Sequence, residues 1–115
     1  MVAALRTLAQ IPAQGQRIAV LGRMGELGAE AERGHRRVGE TAGELKIDCV
    51  VGVGGEAAWI SQSAREHGVR KVFQVGSTKE ATGLLRSLAH PGDVLLVKGS
   101  RSSRMEKILE GLAAS

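Results

Sequence analysis

Four short apolar runs determine which folds are open to this chain. They are Arg17 to Leu21, Cys49 to Val53, Val72 to Val75 and Asp93 to Val97, and each precedes a helical pattern. Their apolar residues are continuous rather than alternating, which is typical of strands buried on both faces of a parallel sheet. Strands and helices that alternate with right-handed crossovers predict a doubly wound, Rossmann-like domain with three layers, αβα.

Helical patterns surround these strands. The first covers residues 2–10 and ends before Pro12. The second has an apolar stripe at spacings of 3 and 4, made of Ala31, His35, Val38, Ala42 and Leu45. The third buries Ala57, Ile60, Ser61 and Ala64. Because glycine readily takes the left-handed backbone, Gly68 is predicted to cap the end of this third helix.

Two S-x-x-E motifs predict where the last two helices begin. Ser77 with Glu80, and Ser103 with Glu106, have the spacing of a capping box. The apolar face after the first motif consists of Ala81, Leu84, Leu85 and Leu88. The face of the final helix consists of Met105, Ile108, Leu109 and Leu112.

Composition favours a single domain, residues 1–115, in a reducing compartment. The chain has 43% hydrophobic and 24% charged residues, and its one cysteine, Cys49, lies in an apolar run. The net charge of +4 raises nucleic acid as a partner, but aromatics are only 2% and stacking platforms need them. No apolar run approaches the ~20 residues that span a bilayer. We therefore expect a cytoplasmic protein with no nucleic-acid or membrane partner.

Most familiar catalytic signatures are missing. The chain has no G-x-x-x-x-G-K-S/T loop, no cysteine and histidine cluster with metal-ligand spacing, and no Ser/His/Asp set. The stretch Gly52-Val53-Gly54-Gly55 leaves a dinucleotide motif incomplete at Ala57, and a tight turn is the simpler interpretation. His35 is interpreted as a buried structural histidine rather than a catalytic one, and Trp59 as partly exposed.

Two loops remain as candidate sites. One is Gly22 to Gly28 and the other is Lys98-Gly99-Ser100-Arg101; each follows a strand and precedes a helix. Parallel strands put their carboxyl ends at one edge, so both loops are predicted to open on that edge. Backbone N–H groups and two cations in the second loop suit a carboxylate or phosphate. Solvated cations beside serines that only cap a helix explain the same residues equally well.

Both loops belong to segments that resemble a known family. LGRMGELGAEAERGHRRVGE, Leu21 to Glu40, is similar to an L-G-D-M-x-E-L-G…H-x-x-V-G stretch. DVLLVKGSRSSRME, Asp93 to Glu106, is similar to D-V-x-L-V-K-G-S-R…M-E. These stretches, their separation and the preceding HPGD resemble the C-terminal domain of a Mur ligase, over nearly all of the chain. The pattern is that of the branch that adds D-alanyl-D-alanine to UDP-N-acetylmuramoyl-tripeptide in bacterial peptidoglycan synthesis.

The resemblance implies ATP-dependent amide formation through an acyl phosphate that the dipeptide amine attacks. In the family, a central domain binds ATP and Mg²⁺ and an N-terminal domain holds the UDP end. Neither domain is expected within these residues, so the chain would be a lid that closes over ATP, with no catalytic or metal-binding residue and no activity by itself. Lys98, Gly99, Ser100 and Arg101 would face the dipeptide.

The first loop, Gly22 to Gly28, would face the nucleotide and the neighbouring domain. The residues assigned to that role are Gly22, Arg23, Met24, Glu26 and Gly28. Arg23 departs from the pattern, because the family usually has Asp there, and this puts a nucleotide contact by that position in doubt. Two alternatives stay open: a stand-alone Rossmann-like module that binds a nucleotide or an acidic metabolite, and the C-terminal domain of another amide ligase of the superfamily. The K-G-S-R and M-E combination favours the dipeptide-adding branch over the second alternative.

Overall fold

Strands and helices alternate along the whole chain in a computed structural model that describes residues 1–25 and 27–113. The elements are α1 (Val2–Gln10), β1 (Arg17–Leu21), the 3-10 helix η1 (Gly28–Glu30), α2 (Ala31–Glu44), β2 (Cys49–Val53), α3 (Ala58–Glu66), β3 (Lys71–Val75), α4 (Thr78–Leu88), β4 (Val94–Lys98), the 3-10 helix η2 (Arg101–Ser103) and α5 (Glu106–Ala113). No helix among the described residues is long and apolar enough to cross a membrane.

The four strands form one parallel sheet in the order β3-β2-β1-β4. Leu21 at the end of β1 is level with Gly52 of β2 and with Lys98 of β4. Val53 of β2 is level with Val75 of β3. All four strands therefore end at the same edge of the sheet, and the segments after them are neighbours.

Helices cover both faces of this sheet. On one face α1, α2 and α3 pack over Ala19, Leu21 and Val50. On the other face α4 and α5 pack over Ile18, Val20, Cys49 and Val51. Successive strand residues thus point into opposite cores, which is why each strand reads as a continuous apolar run. The predicted three-layer, Rossmann-like fold is confirmed.

Cys49 is fully buried in the core shared with α4 and α5. Burial raises the pKa of its thiol to about 11, because the thiolate would lose its hydration there. The interpretation of Cys49 as a small hydrophobic residue is confirmed.

The first capping motif forms in part. The Ser77 hydroxyl accepts a hydrogen bond from the Glu80 N–H at 3.1 Å and caps α4. The Glu80 carboxylate accepts from the N–H of Gly76 at 3.3 Å, one residue before the position that a full capping box uses.

The second capping motif does not form, so that prediction is wrong. Ser103 lies inside η2, and its hydroxyl donates to the Ser100 carbonyl at 2.6 Å. Arg104 follows with a left-handed backbone, φ 50°, and α5 begins only at Glu106. The left-handed residue turns the chain between Ser103 and Glu106, so the serine cannot cap α5.

The apolar face of α5 is narrower than predicted. Met105 and Ile108 are buried against the sheet, but Leu109 is 53% exposed. Leu109 follows Ile108 by one position, and one step around an α-helix carries a side chain about 100° away from the buried stripe.

Candidate functional site

The two candidate loops lie side by side at the carboxyl edge of the sheet. The Gly22 N–H donates to the Lys98 carbonyl at 2.9 Å, and the Ser100 N–H donates to the Arg23 carbonyl at 2.8 Å. A Cβ on Gly99 would lie 3.3 Å from the Gly22 Cα and 2.6 Å from the Ser103 hydroxyl. Glycine at this position therefore allows the close approach, and the prediction that both loops open on one edge is confirmed.

Lys98 and Arg101 are both exposed at this edge. Within residues 1–25 and 27–113 neither of them forms an ion pair. Two such cations three positions apart on one loop give this edge a local positive charge.

Three backbone amides in and just after this loop have partners within the chain. Ser100 donates to Arg23, Ser103 donates to the Ser100 carbonyl, and Arg104 donates to the Arg101 carbonyl. These three amides are therefore not free for an anion, and a contribution from the amides that open η2 stays a prediction.

Arg23 is bonded to two further segments. Its Nε donates to the Glu56 carboxylate at 2.8 Å, and its Nη1 donates to the Ser102 hydroxyl at 2.8 Å. Ser102 in turn shares a hydrogen bond of 3.0 Å with the Ser100 hydroxyl. A chain of polar contacts thus crosses the ends of β2, β1 and β4.

A cleft of about 320 Å³ opens between these segments and α5. Its cations are Arg23, Arg104 and Lys107, and its hydroxyl groups include those of Ser77, Ser102 and Ser103. The glycines that follow β2 and β3 complete the wall; they are Gly54, Gly55 and Gly76. The three cations and the hydroxyl groups of this lining can bind an anion.

His35 supports the first loop from below. It is completely buried, its Nε2 accepts from the Met24 N–H at 2.9 Å, and its Nδ1 lies 2.5 Å from the Ala31 carbonyl. Because Nε2 accepts, Nδ1 carries the proton and donates. Partly exposed Trp59 lies against the ring with a centroid separation of 5.8 Å. The structural role predicted for His35 is confirmed.

Comparison with known proteins identifies the domain. The family described as Mur ligase, glutamate ligase domain, matches residues 1–101. The chain belongs to this family.

Two relatives of this Mur ligase domain carry the same name. The UDP-N-acetylmuramoyl-tripeptide--D-alanyl-D-alanine ligase of Escherichia coli K12 is 41% identical over 113 residues, which are 97% of this chain and 24% of that protein. The protein of the same name from Bacillus subtilis 168 is 31% identical over 116 residues, 100% of this chain and 25% of its own length. The chain thus spans about a quarter of the length of these relatives.

Solved structures agree with the fold of this Mur ligase domain. A crystal structure of MurF from Acinetobacter baumannii superposes with a TM-score of 0.83 at 29% identity, covering 98% of this chain and 25% of that one. MurF ligase from Thermotoga maritima in complex with ADP gives 0.78 at 27% identity, covering 96% and 24%.

Two further residues of this Mur ligase domain, Glu26 and Gly28, were assigned to the first loop. Glu26 lies outside the described residues. Gly28 opens η1 with a φ of 54°, and a Cβ there would meet no atom within 4 Å, so the backbone turn explains this glycine. No group of three His, Cys, Asp or Glu side chains that could hold a metal occurs in the described part of the chain.

Some residues of this edge were not predicted from the sequence. Glu56, Arg104 and Lys107 are charged residues in unremarkable sequence positions, and the sheet topology brings them to the cleft. The available signal was the glycines that follow these strands, Gly54 and Gly55 after β2 and Gly76 after β3. A larger cleft of about 580 Å³ lies along α2, but its side chains Glu30, Arg33, Glu32 and Arg36 pair with one another.

Proposed function

We propose that this chain is the C-terminal domain of a three-domain, ATP-dependent MurF ligase that adds D-alanyl-D-alanine to UDP-N-acetylmuramoyl-tripeptide in the bacterial cytoplasm. The observation that carries the proposal is the joined pair of loops, Gly22–Arg23 and Lys98–Arg101, at the sheet edge of a Mur ligase domain. The similarity to E. coli and B. subtilis proteins of that name supports the choice of branch.

The dipeptide is proposed to meet this domain at Lys98 and Arg101. These cations are exposed and unpaired within the described part of the chain, so an incoming carboxylate does not have to displace an existing partner. A charge-assisted hydrogen bond to a carboxylate contributes about 1.5–3 kcal/mol. Gly99 and Ser100 lie between these two cations and fix the loop, because both pack against the first loop.

ATP is proposed to be bound mainly by the central domain, with the Gly22–Gly28 loop facing it when the domains close. The ADP in the Thermotoga maritima MurF structure is consistent with a nucleotide substrate. The described residues offer no grouping suited to Mg²⁺, so we place its ligands in the central domain too. This domain would orient the dipeptide and exclude water from the reacting groups.

Phosphate release tests the proposal. The intact product of the reading frame that contains this segment is expected to release phosphate only when ATP, UDP-N-acetylmuramoyl-tripeptide and D-alanyl-D-alanine are all present. The 115-residue chain alone is expected to release none, since the nucleotide loop and metal ligands lie elsewhere. An upstream G-K-S/T loop and a D-x-x-x-N-P motif are expected in the same frame.

The opposite outcomes separate the alternatives. Turnover by the 115-residue chain would contradict the division of labour among domains. An intact product without the upstream loop, which binds a nucleotide or an acidic metabolite and transforms neither, would instead favour the stand-alone binding module.

A further inference from the structure

Arg23 occupies a central place among the loops at the carboxyl edge. Its backbone carbonyl accepts from the Ser100 N–H, its Nε donates to Glu56 after β2, and its Nη1 donates to Ser102 in η2. With its own loop, this one residue touches the segments that follow three of the four strands. The side chain is 43% exposed, so burial alone does not account for its position.

We infer that Arg23 is a positioning residue, which holds the Lys98–Arg101 loop in its ligand-binding geometry and neutralises Glu56 beside the cleft. This inference rests on the proposed function, in which that loop receives the dipeptide. Ser102 follows Arg101 directly, so a tether on Ser102 also restrains the Arg101 backbone. Without it, η2 keeps its short backbone hydrogen bonds, the bond between the Ser102 and Ser100 hydroxyls and the contacts of Ser103, but loses its side-chain link to the loop after β1.

The positive charge of Arg23 also neutralises the Glu56 carboxylate. Glu56 adjoins Gly55, which lines the cleft, and Glu80 binds Gly76 on the same wall. The N-terminus of α4 compensates Glu80, whereas Arg23 is the only ion-pair partner of Glu56 among the described residues. Removing the guanidinium would leave an uncompensated carboxylate beside the cationic cleft, at the same sheet edge as Lys98 and Arg101, and it would repel an anion that approaches this edge.

The guanidinium geometry matters as well as the charge. Nε and Nη1 lie in one rigid plane, so Arg23 binds a carboxylate and a hydroxyl at the same time. A lysine in its place carries the same charge on a single nitrogen and keeps the pairing with Glu56 more easily than the bridge to Ser102. Arg23→Lys therefore tests the effect of the positive charge separately from the effect of the bridge between Glu56 and Ser102.

Amide hydrogen exchange of the 115-residue chain tests the bridge. Arg23→Gln is expected to speed exchange at Ser100, Ser103 and Arg104 by roughly five- to tenfold, because a charged hydrogen bond and an exposed ion pair are lost together. Arg23→Lys is expected to give a smaller increase. Core strand amides are expected to keep their rates. Arg33→Gln is the control, since Arg33 is 84% exposed and its ion pair among the described residues is with Glu30, three positions earlier.

Steady-state kinetics of the intact ligase test the consequence for the ligand. Arg23→Gln is expected to raise KM for D-alanyl-D-alanine about fivefold and to change kcat by less than about twofold, because the loss of ~1 kcal/mol falls on binding. Adding Glu56→Gln to Arg23→Gln is expected to recover part of the KM, since the unpaired carboxylate is then gone.

Three results would overturn the inference. An unchanged exchange rate at Ser100 in Arg23→Gln would show that the Arg23 side chain does not hold the Lys98–Arg101 loop in place. A fall in kcat with an unchanged KM for the dipeptide in Arg23→Gln would show that Arg23 acts in a step other than dipeptide binding. If adding Glu56→Gln to Arg23→Gln did not lower the KM, the unpaired Glu56 carboxylate would not be the cause of the weaker binding. If the intact wild-type protein did not ligate at all, the proposed function would fail, and the exchange rates would still decide whether Arg23 positions the loop.

Discussion

Cations at the carboxyl edge of the sheet differ in how they are held. Arg23 donates through Nε to the Glu56 carboxylate and through Nη1 to the Ser102 hydroxyl, so its contacts are within the protein. Lys98 and Arg101 are exposed, and neither is in an ion pair within the described residues. A side chain with free donors is the better candidate for a ligand contact, which is why we assign the dipeptide to Lys98 and Arg101.

Replacing Arg101 by alanine in the intact ligase is expected to raise KM for D-alanyl-D-alanine about tenfold, since ~1.4 kcal/mol of binding is lost. The KM for ATP is expected to stay within about twofold, because the nucleotide contacts are proposed to lie elsewhere. Initial rates at varied dipeptide and varied ATP measure both.

Arg6→Ala is the matched control for that substitution. Arg6 is exposed on α1 and far from both loops in sequence, so it is expected to leave both KM values unchanged. If Arg101→Ala gave wild-type KM and kcat, the role proposed for Lys98–Arg101 would be wrong.

The sequence predicted the candidate loops but not their partners. Lys98 to Arg101 could be recognised because glycine, serine and cations directly follow an apolar strand. Glu56, Arg104 and Lys107 could not, since their meeting depends on which strands are neighbours. Strand order is a long-range property, and local spacing carries little information about it.

Helices α2 and α3 approach each other unusually closely. A Cβ on Gly39 would lie 2.5 Å from the Ile60 carbonyl oxygen and 2.6 Å from the Ala64 nitrogen, and one on Gly43 would clash with the backbone of His67. The obstacle in each case is backbone, which cannot rotate away. Glycine in α2 is thus required by helix packing, although it lowers helix propensity.

Gly39→Ala is expected to destabilise the fold by about 1–3 kcal/mol, because the added methyl group pushes α3 away from α2. Gly83→Ala, in α4, is the control: no heavy atom lies within 4 Å of a Cβ there, and the substitution is expected to stabilise by up to ~1 kcal/mol. Urea unfolding followed by circular dichroism measures both. A Gly39→Ala protein as stable as the wild type would contradict the close packing of α2 on α3.

Asp93 links the start of β1 to the turn before β4. Its carboxylate accepts from the Gln16 N–H at 2.7 Å, the Gln16 side-chain amide at 3.2 Å and the His90 N–H at 2.9 Å. These hydrogen bonds, the Gln16 N–H above all, hold the pKa of Asp93 below its ordinary value. The predicted start of β4 at Asp93 is wrong by one residue: the Asp93 N–H donates to the His90 carbonyl within the turn, and β4 begins at Val94.

The lowered pKa fixes the sign of a pH effect. The stabilisation by ionised Asp93 is complete above the unfolded-state pKa of about 3.9 and is lost as the pH falls through the lower folded-state pKa. Asp93→Asn is therefore expected to be less stable than the wild type at pH 6, and the difference is expected to shrink below pH ~4.

Urea unfolding at a series of pH values measures that difference. Glu44→Gln, an exposed change at the end of α2, is the control and is expected to follow the wild type. A difference between Asp93→Asn and the wild type that stayed constant down to pH ~3 would contradict the proposed hydrogen-bonded carboxylate.

Boundaries of elements were predictable where one local signal dominated. β1 and β2 run from Arg17 to Leu21 and from Cys49 to Val53, as their apolar runs indicated. The start of α5 was not predictable in the same way, because Ser103-x-x-Glu106 matches a capping box in sequence. The left-handed backbone of Arg104, which removes the cap, is a conformation that arginine itself does not favour, so nothing in the local sequence indicated it.

At the scale of the whole molecule, the domain presents one chemically distinctive edge. The sheet, its helices and the buried His35 hold the loops after β1 and β4 together, and the cationic cleft lies beside them. The fold class follows from the sequence alone, since four buried strands alternating with helices have few alternatives. The nature of the ligand does not, because this chain spans about a quarter of its relatives and supplies one wall of the proposed site.

Domain exchange tests the central claim most directly. The matching quarter of the E. coli ligase would be replaced by this chain, and ATP- and D-alanyl-D-alanine-dependent product formation from UDP-N-acetylmuramoyl-tripeptide would be measured. The account predicts product, with a raised dipeptide KM when Arg101 is changed to alanine. A chimera that binds UDP-N-acetylmuramoyl-tripeptide with the affinity of the parent enzyme, yet forms no product, would contradict it.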